Sequence, residues 1–319
     1  MSDKKIITVF GATGNQGGSV VQTFLHDAKL KDEWSVRGVT RDVSKDSSKK
    51  LAAQGVDVVS ADLNDKASIV EALKGSYAVF AVTNYWEKMD DKLEVQQGKN
   101  LADAAKEANV KFLIWSSLYN VHKLSKGALP HVYHFDSKAT VEEYIRELGI
   151  PAAFFMPGFY MSNLPGGSFR KSPEHDDNTW TLGLPFPGST QIPVYHPGDT
   201  GKYVKAMVLN QDAVRGQRFL AATAYATADE LVADFQQAFP AQTARYAEVP
   251  KDAFFAALTQ GPAGLPEFAA VELYENMRLM SDFGYYGGDS LDWTHGLIED
   301  PLTTWRQFVE TASAFAGLK

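Results

Sequence analysis

Residues 6–25, IITVFGATGNQGGSVVQTFL, hold the pattern that most strongly indicates the fold of this chain. A run of β-branched and aromatic residues leads into glycines at positions 11, 14, 17 and 18, after which apolar residues recur at helical spacing. This order predicts a strand, a tight turn and a helix that opens within the turn. We expect the glycines to permit a positive φ, to let backbone amides approach a pyrophosphate and to bring the helix close to the strand.

The turn therefore predicts a dinucleotide site, in which the helix N-terminus directs its partial positive charge toward the phosphates. A tight turn without a ligand is the alternative interpretation. The expected cofactor contacts are Gly11, Thr13, Gly14, Asn15, Gln16 and Gly17.

Short apolar runs alternate with helical patterns through the first half of the chain. The predicted strands are residues 6–12, 34–40, 56–62, 77–83, 112–118 and 152–158. The predicted helices between them are residues 15–27, 44–54, 65–74, 90–108 and 135–148. Because the strands are apolar throughout, they are typical of a parallel sheet buried on both faces. Six such strands predict an α/β fold with a doubly wound parallel sheet of the Rossmann type.

The pattern changes after residue 158. Residues 163–198 are rich in Gly, Pro and Ser, with short strand-like pieces. Further helices are predicted near residues 199–210, 228–239, 250–259, 265–281 and 301–316. We expect residues 1–158 to form the nucleotide-binding domain. Residues 159–319 should form a smaller α+β portion that builds a substrate or partner pocket over the sheet's carboxyl edge.

Composition excludes several classes of function. The 319 residues are 45% hydrophobic and carry a formal net charge of −8, which argues against direct binding to nucleic acid. The absence of cysteine excludes disulfides, thiolate metal sites and a thiol nucleophile. Histidines at metal-ligand spacing are lacking, so no metal is expected. A secretory signal and a membrane span are not expected either, which predicts a cytoplasmic protein and leaves access to the nucleus open.

The end of the second predicted strand bears on the choice of cofactor. An NAD site usually has an acidic residue there, whereas this chain has VTRD at residues 39–42. Arg41 can pair with a 2′-phosphate in the bidentate manner of a guanidinium, and Lys45 adds positive charge nearby. We therefore expect NADP(H) rather than NAD(H). The alternative is a solvated Arg41 and a site that accepts both cofactors.

Two further strand ends should contact the nucleotide, because ligands bind at the carboxyl ends of parallel strands. Asp62 and Leu63 follow the third predicted strand, where the adenine is expected. Asp62 is also a candidate helix N-cap, a role that Asp65 fits better. Thr83 and Asn84 follow the fourth predicted strand, below the middle of the cofactor.

Several motifs together resemble the NmrA-like family, an atypical branch of the short-chain dehydrogenases. The resemblance covers most of the chain. It rests on GATGNQGGSV (11–20), VTRD (39–42), WSS (115–117), HFDSKATVEEYI (134–145), GIPAAFFMPGFYMSN (149–163) and GDTGKYV (198–204). It implies a Rossmann-type sheet with a dinucleotide bound at residues 11–18. Within the last of these motifs, we expect Asp199 to cap a helix.

The segment VYHFDSK, residues 132–138, is the main departure from typical short-chain dehydrogenases. Those enzymes have a tyrosine that donates a proton and, four residues on, a lysine that holds the ribose. This chain keeps the lysine as Lys138 and has His134 at the tyrosine's place. Residues four apart share a helix face, and an imidazole can act as a general acid–base group, so both are candidate catalytic residues. The alternative is that His134 orients the helix start, with Phe135 buried behind it.

The pocket above the nicotinamide should be apolar or aromatic. Its predicted residues are Tyr119, Phe159, Tyr160, Tyr274 and Glu275, with Met161, Phe186 and Met277 as further candidates. Glu275 can bind an amine or act as a base, and a solvated helix face is the alternative. Ser116 and Ser117 can polarise a carbonyl. Residues 282–293 are aromatic and rich in glycine, which suits a mobile lid or a partner surface.

Three functions stay open, because the resemblance does not imply a single activity. The one we favour is an NADP(H)-dependent reductase of an apolar carbonyl, quinone or imine. The second is a non-catalytic redox sensor that regulates a transcription factor by protein contact. The third is a biosynthetic cyclase that uses the same pocket for acid–base chemistry. A closed pocket with His134 directed into it favours an enzyme, and a wide-open cleft favours the sensor.

Overall fold

The fold is described from a computed structural model that covers residues 4–171, 179–261 and 264–318. Part of the predicted Gly-, Pro- and Ser-rich stretch, residues 172–178, lies outside the described residues. The strands are β1 Lys5–Val9, β2 Trp34–Thr40, β3 Asp57–Ser60, β4 Ser76–Ala81, β5 Phe112–Ser116, β6 Ala152–Pro157, β7 Phe159–Tyr160, β8 Phe169–Lys171, β9 Thr179–Leu184, β10 Gln191–Tyr195, β11 Arg218–Ala221, β12 Ala224–Thr227 and β13 Thr243–Glu248. The helices are α1 Asn15–His26, α2 Asp46–Ala53, α3 Lys66–Leu73, α4 Asp91–Glu107, α5 Val121–Leu124, α6 Tyr133–Leu148, α7 Thr200–Leu209, α8 Gln211–Val214, α9 Ala228–Ala238, α10 Lys251–Thr259, α11 Glu267–Asp282, α12 Asp292–His295 and α13 Trp305–Thr311.

A seven-stranded sheet forms the centre of the described chain, in the order β11-β6-β5-β4-β1-β2-β3. All of its neighbouring strands pair in parallel. The strand order reverses between β1 and β4, and ligands bind outside the carboxyl ends of strands at such a switch point. The predicted doubly wound sheet is therefore confirmed. This switch point is where the glycine-rich turn lies.

The seventh strand was not predicted. Strand β11 comes from the second half of the chain and pairs in parallel with β6, so that Arg218 lies opposite Phe154 and Ala221 opposite Pro157. It has only four residues and begins with an arginine, so its local pattern is too short to indicate a strand. Only the long-range pairing with β6 defines it.

Helices cover both faces of the sheet. Side chains of α1 and α7 belong to one hydrophobic core, and side chains of α3, α4 and α6 belong to the other. The second half of the chain forms two smaller sheets, with the strand orders β7-β10-β12 and β8-β9-β13. No helix of the described part combines the length and the apolar composition that crossing a bilayer requires.

Asp199 lies just before α7 but does not cap it, so the expected capping role was wrong. Its buried carboxylate accepts hydrogen bonds from the backbone N–H of Thr303 at 2.6 Å and from the Thr303 hydroxyl at 3.1 Å. It also pairs with Lys202, 2.6 Å away. The carboxylate of Asp199 therefore binds Thr303, in the segment that leads into α13, instead of the first N–H groups of α7. This long-range contact cannot be read from the local sequence.

The turn between β1 and α1 leaves no room for a side chain at Gly17. A Cβ atom there would lie 2.3 Å from the Gly11 carbonyl oxygen and 2.7 Å from that of Phe10. Gly18, the next residue, has room, since its nearest contact would be the Ala12 oxygen at 3.6 Å. Gly11 itself has a φ of +65°, a value that favours glycine. Helix α1 therefore lies close to β1 because residue 17 lacks a side chain.

We expect Gly17→Ala to lower the free energy of unfolding by about 1–3 kcal/mol, since the added methyl group must displace backbone atoms. Gly18→Ala serves as the matched control and should be neutral or stabilising by up to ~1 kcal/mol, because alanine favours a helix. Urea unfolding followed by circular dichroism measures both. Equal midpoints for the two variants would contradict the close packing described.

Candidate active site

A cleft of about 1240 Å³ opens at the switch point of the sheet and continues into the second half of the chain. Every predicted cofactor residue lines it. These residues are Gly11, Thr13, Gly14, Asn15, Gln16, Gly17, Arg41, Asp62, Leu63, Thr83, Asn84 and Lys138. The structure thus brings together residues from five separate parts of the sequence. Their contacts with a nucleotide stay a prediction.

The glycine-rich turn presents free backbone donors to the cleft. Helix α1 begins at Asn15, and its N-cap residue, Gly14, has no side chain that could accept from the first N–H groups. Such unpaired N–H groups, with the partial positive charge of the helix N-terminus, suit a pyrophosphate. The local geometry therefore suits an anion where the sequence predicts one, and its binding there stays a prediction.

Arg41 lies at the cleft but is already paired. Its guanidinium donates to the carboxylate of Glu87 at 2.5 Å, and its side chain is 67% exposed. This hydrogen bond with Arg41 lowers the pKa of Glu87. Glu87 lies in a short 3₁₀ helix after β4 and was not among the predicted site residues. A 2′-phosphate that binds Arg41 must therefore compete with the carboxylate of Glu87 for the guanidinium.

Lys138 also meets a carboxylate that sequence reasoning missed. Glu94, from α4, is 2% exposed and forms an ion pair with the Lys138 ammonium. Thr83 donates to the same carboxylate at 2.7 Å and lies 3.3 Å from Lys138 Nζ, while Ser137 donates to its second oxygen. An ammonium has three donors, so Lys138 keeps one for a ligand in the cleft.

His134 lines the cleft and is oriented by a buried carboxylate from α11. Its Nδ1 lies 2.6 Å from Oε1 of Glu272, which also accepts from the backbone N–H of His134 at 2.8 Å. Glu272 is fully buried, and its Oε2 accepts from the Tyr85 hydroxyl at 2.7 Å. Because the carboxylate accepts all of these bonds, Nδ1 carries a hydrogen and Nε2 is the nitrogen left for a ligand. Phe135 is buried behind it, as the alternative interpretation expected.

The structure places three predicted pocket residues elsewhere. Glu275 accepts from the backbone N–H of His131 and from its ring nitrogen, each at 2.7 Å. Tyr274 packs against the rings of α10, and Tyr119 donates to Asp289 in a separate depression. For Glu275 and Tyr274 the rotation of α11 is the reason, because Leu273, Asn276 and Met277 are the residues of this helix that line the cleft. Periodicity alone does not fix that rotation.

A paired pattern in the sequence could have indicated Glu272. Two glutamates three residues apart, Glu272 and Glu275, contact two histidines three residues apart, His134 and His131. The same spacing occurs on α11 and on the segment that leads into α6, so α11 holds the start of α6 at two points. Only the position of one helix against the other tells which glutamate lies beside the cleft.

The remainder of the cleft is mostly apolar. Its lining there includes Phe159, Phe254, Leu258, Leu265, Leu273, Met277 and Tyr285. Tyr160, also at the cleft, accepts from Gln16 Nε2 at 2.5 Å, and burial raises the pKa of its phenol to about 12. Ser116 donates to the same Gln16 at 2.9 Å, which leaves it a weaker candidate for polarising a carbonyl.

Other predicted pocket groups belong to the core. Ser117 is fully buried and donates to Glu142, and Met161 and Phe186 are buried outside the cleft lining. Tyr286, in the predicted lid segment 282–293, is buried and donates to the Met156 carbonyl at 2.8 Å, so this part is fastened to the sheet. Within the part of the chain that the structure describes, no three His, Asp or Glu side chains are grouped as a metal ion requires.

A parallel sheet with a cleft at its switch point, and a glycine-rich turn that opens a helix there, define a dinucleotide-binding fold of the Rossmann class. The chain belongs to the NmrA-like family, which it matches over residues 3–310. The resemblance noted in the sequence is thereby confirmed.

Known relatives and structures agree with this assignment. An NmrA-like family domain-containing oxidoreductase of Malbranchea aurantiaca, malD, is 32% identical over 260 residues, which are 76% of this chain and 75% of that protein. The fold is similar to that of NmrA, a negative transcriptional regulator, with a TM-score of 0.80 at 20% identity over 97% of this chain and 96% of NmrA. It is also similar to a Citrobacter sp. triphenylmethane reductase, with a TM-score of 0.74 at 22% identity over 96% and 99% of the two chains.

We expect Glu272→Gln to change the tautomer of neutral His134. With Glu272 present, Nδ1 should carry the hydrogen, whereas an amide NH₂ can donate to Nδ1 and move that hydrogen to Nε2. Nitrogen-15 NMR of the histidine rings measures the two tautomers. His131, held by Glu275, is the internal control and should not change. A wild-type His134 in the Nε2–H form would contradict the described contact.

Proposed function

We propose that this protein is an NADP(H)-dependent reductase of a small apolar or aromatic carbonyl, quinone or imine. One observation carries the proposal: His134, oriented by Glu272, lines the same continuous cleft as the glycine-rich turn and the apolar residues of the second half. A nucleotide on the turn and an apolar substrate beside it would share one space. A positioned imidazole would then lie within the reaction site.

The cleft residues suit the nucleotide. The N–H groups at the start of α1 would hold the pyrophosphate, Arg41 the 2′-phosphate and Lys138 a ribose hydroxyl. Relatives support this cofactor, since the triphenylmethane reductase was solved with NADP(H), and NmrA with NADP and with NAD. When bound, the reduced nicotinamide supplies a hydride, which is a proton with two electrons.

The protein's part in the reaction is a proton transfer. As the carbonyl carbon gains the hydride, the C=O π electrons move to the oxygen, which takes the Nε2 proton of His134 in its doubly protonated, imidazolium form. An alcohol and a neutral imidazole result, and Glu272 keeps its hydrogen bond to Nδ1–H throughout. Tyr85 holds Oε2 of Glu272 in place. Burial is the main cause that raises the pKa of Tyr85, so its hydroxyl stays a donor to this carboxylate.

We expect His134→Ala to lower kcat by about 10²–10⁴-fold, the usual contribution of a positioned acid. Glu272→Gln should also lower kcat, by about tenfold or more, with little change in KM, because it disturbs the orientation of the imidazole rather than the binding surface. Glu275→Gln is the matched control, since its carboxylate serves His131 outside the cleft. NADPH oxidation against a panel of quinones, imines and aldehydes measures all three.

Other outcomes of that experiment distinguish the alternatives. Tight NADPH binding without oxidation by any acceptor would support the non-catalytic sensor. Conversion of a substrate without oxidation of the nucleotide would support the cyclase. Equal kcat in wild type and His134→Ala would remove the histidine from the mechanism while leaving a reductase.

A second prediction concerns the choice of cofactor. Arg41→Ala should lower the ratio of NADPH to NADH affinity by about 10–100-fold, the contribution of hydrogen bonds to a charged group. Glu87→Gln should raise the ratio by about two- to fivefold, because it frees Arg41 from an exposed ion pair. Glu71→Gln, which removes the same charge from an exposed pair with Lys74, is the control.

Fluorescence titration at low ionic strength measures these affinities, because salt screens exposed charges. An unchanged ratio in Arg41→Ala would show that Arg41 does not select the 2′-phosphate. A lower ratio in Glu87→Gln would show that Glu87 positions Arg41 instead of competing for it.

A further inference from the structure

Asn276 has an unused amide beside the cleft. The residue lies in α11, lines the cleft and is only 5% exposed. Its Nδ2 is shielded from solvent and has no hydrogen-bond partner among the described residues. Buried amide groups nearly always have a partner, so an unpaired one needs an explanation.

The position of Asn276 relates it to the proposed proton donor. It follows Glu272 by four residues, which places it just over one helical turn away, ~6 Å along the axis, on a similar face of α11. Glu272 holds His134, and both His134 and Asn276 line the cleft. Its neighbours on that wall, Leu273 and Met277, are apolar.

A polar group on an apolar wall is a typical specificity element of a small-molecule site. The side-chain amide has two donors and one acceptor, and its terminal torsion is soft enough to turn Nδ2 toward the cleft. A ligand with an oxygen acceptor at this point would satisfy the donor that the free protein leaves unpaired. A ligand without one would leave it unsatisfied.

We propose that Asn276 is a substrate-recognition residue that donates to a second carbonyl oxygen, remote from the carbonyl that reacts at His134. The substrate class is then a rigid apolar dicarbonyl, in preference to a monocarbonyl of the same shape. The statement that one carbonyl reacts at His134 rests on the proposed reductase function. The binding contact of Asn276 does not.

The test compares two bicyclic probes, 1,4-naphthoquinone with two carbonyl groups and 1-tetralone with one. Their dissociation constants are measured with saturating NADP⁺, so that no reduction occurs. The chain has no cysteine, which removes the side chain that most readily reacts with a quinone. Wild type should bind the dicarbonyl about tenfold more tightly, the value of one hydrogen bond.

Asn276→Leu keeps a similar volume without the amide and should bring the two dissociation constants close together. Leu279→Met, a buried change in the same helix outside the cleft, is the control and should keep the wild-type ratio. A ratio that is the same in wild type and Asn276→Leu overturns the inference.

Thermal unfolding without ligands separates recognition from a structural role. Asn276→Leu removes an unpaired buried amide, so its Tm should equal or exceed that of wild type. A structural asparagine would lose stability on the same change, and a lowered Tm together with an unchanged binding ratio would assign Asn276 to the fold alone.

Turnover of both probes with NADPH is measured separately. If neither oxidises NADPH, the reductase proposal loses its support, while the dissociation constants still decide the role of Asn276. If wild type reduces both compounds equally well and binds them equally, the reductase proposal stands and the recognition role of Asn276 is wrong.

Discussion

The arrangement of the cleft depends on one buried carboxylate, that of Glu272. A carboxylate without solvent is tolerated only where hydrogen-bond donors surround it. Tyr85 after β4 and His134 at the start of α6 provide those donors, the latter through both its backbone and its ring. Glu272 thereby holds three elements that are distant in sequence in fixed positions: the segment after β4, the start of α6 and helix α11. The contacts that make the burial of Glu272 possible also orient the imidazole.

The two cations expected to serve a nucleotide each have a carboxylate partner within the protein. Arg41 pairs with Glu87 at an exposed position, and Lys138 pairs with the buried Glu94. A nucleotide that binds Arg41 or Lys138 must replace part of their contacts with Glu87 or Glu94. Its affinity therefore reflects the difference in free energy between the new contacts and the ones that are lost. Breaking the exposed pair between Arg41 and Glu87 costs less free energy, because solvent already screens its charges. The buried pair is better suited to stay intact and to hold Lys138 in position.

The sequence predicted those parts of the structure that local pattern determines. The glycine-rich turn, six strands and the shared face of His134 and Lys138 follow from spacing within short segments, and the structure has all of them. The three carboxylate partners were missed because each meets its cation or histidine only through tertiary packing. Glu275 was chosen where Glu272 lies beside the cleft, since the rotation of α11 is set by contacts with α6 and α10. Strand β11 was missed because four residues have too little pattern of their own.

The late position of β11 in the chain affects how the protein is made. Strand β6, whose six residues are all buried, has β5 on one side and β11 on the other, and β11 ends at residue 221. While a ribosome is still adding residues 158–217, the growing chain has an apolar strand with one unpaired edge. Such edges promote association between chains. The interval before β11 is synthesised is thus a period in which nascent copies of this protein are prone to associate through β6.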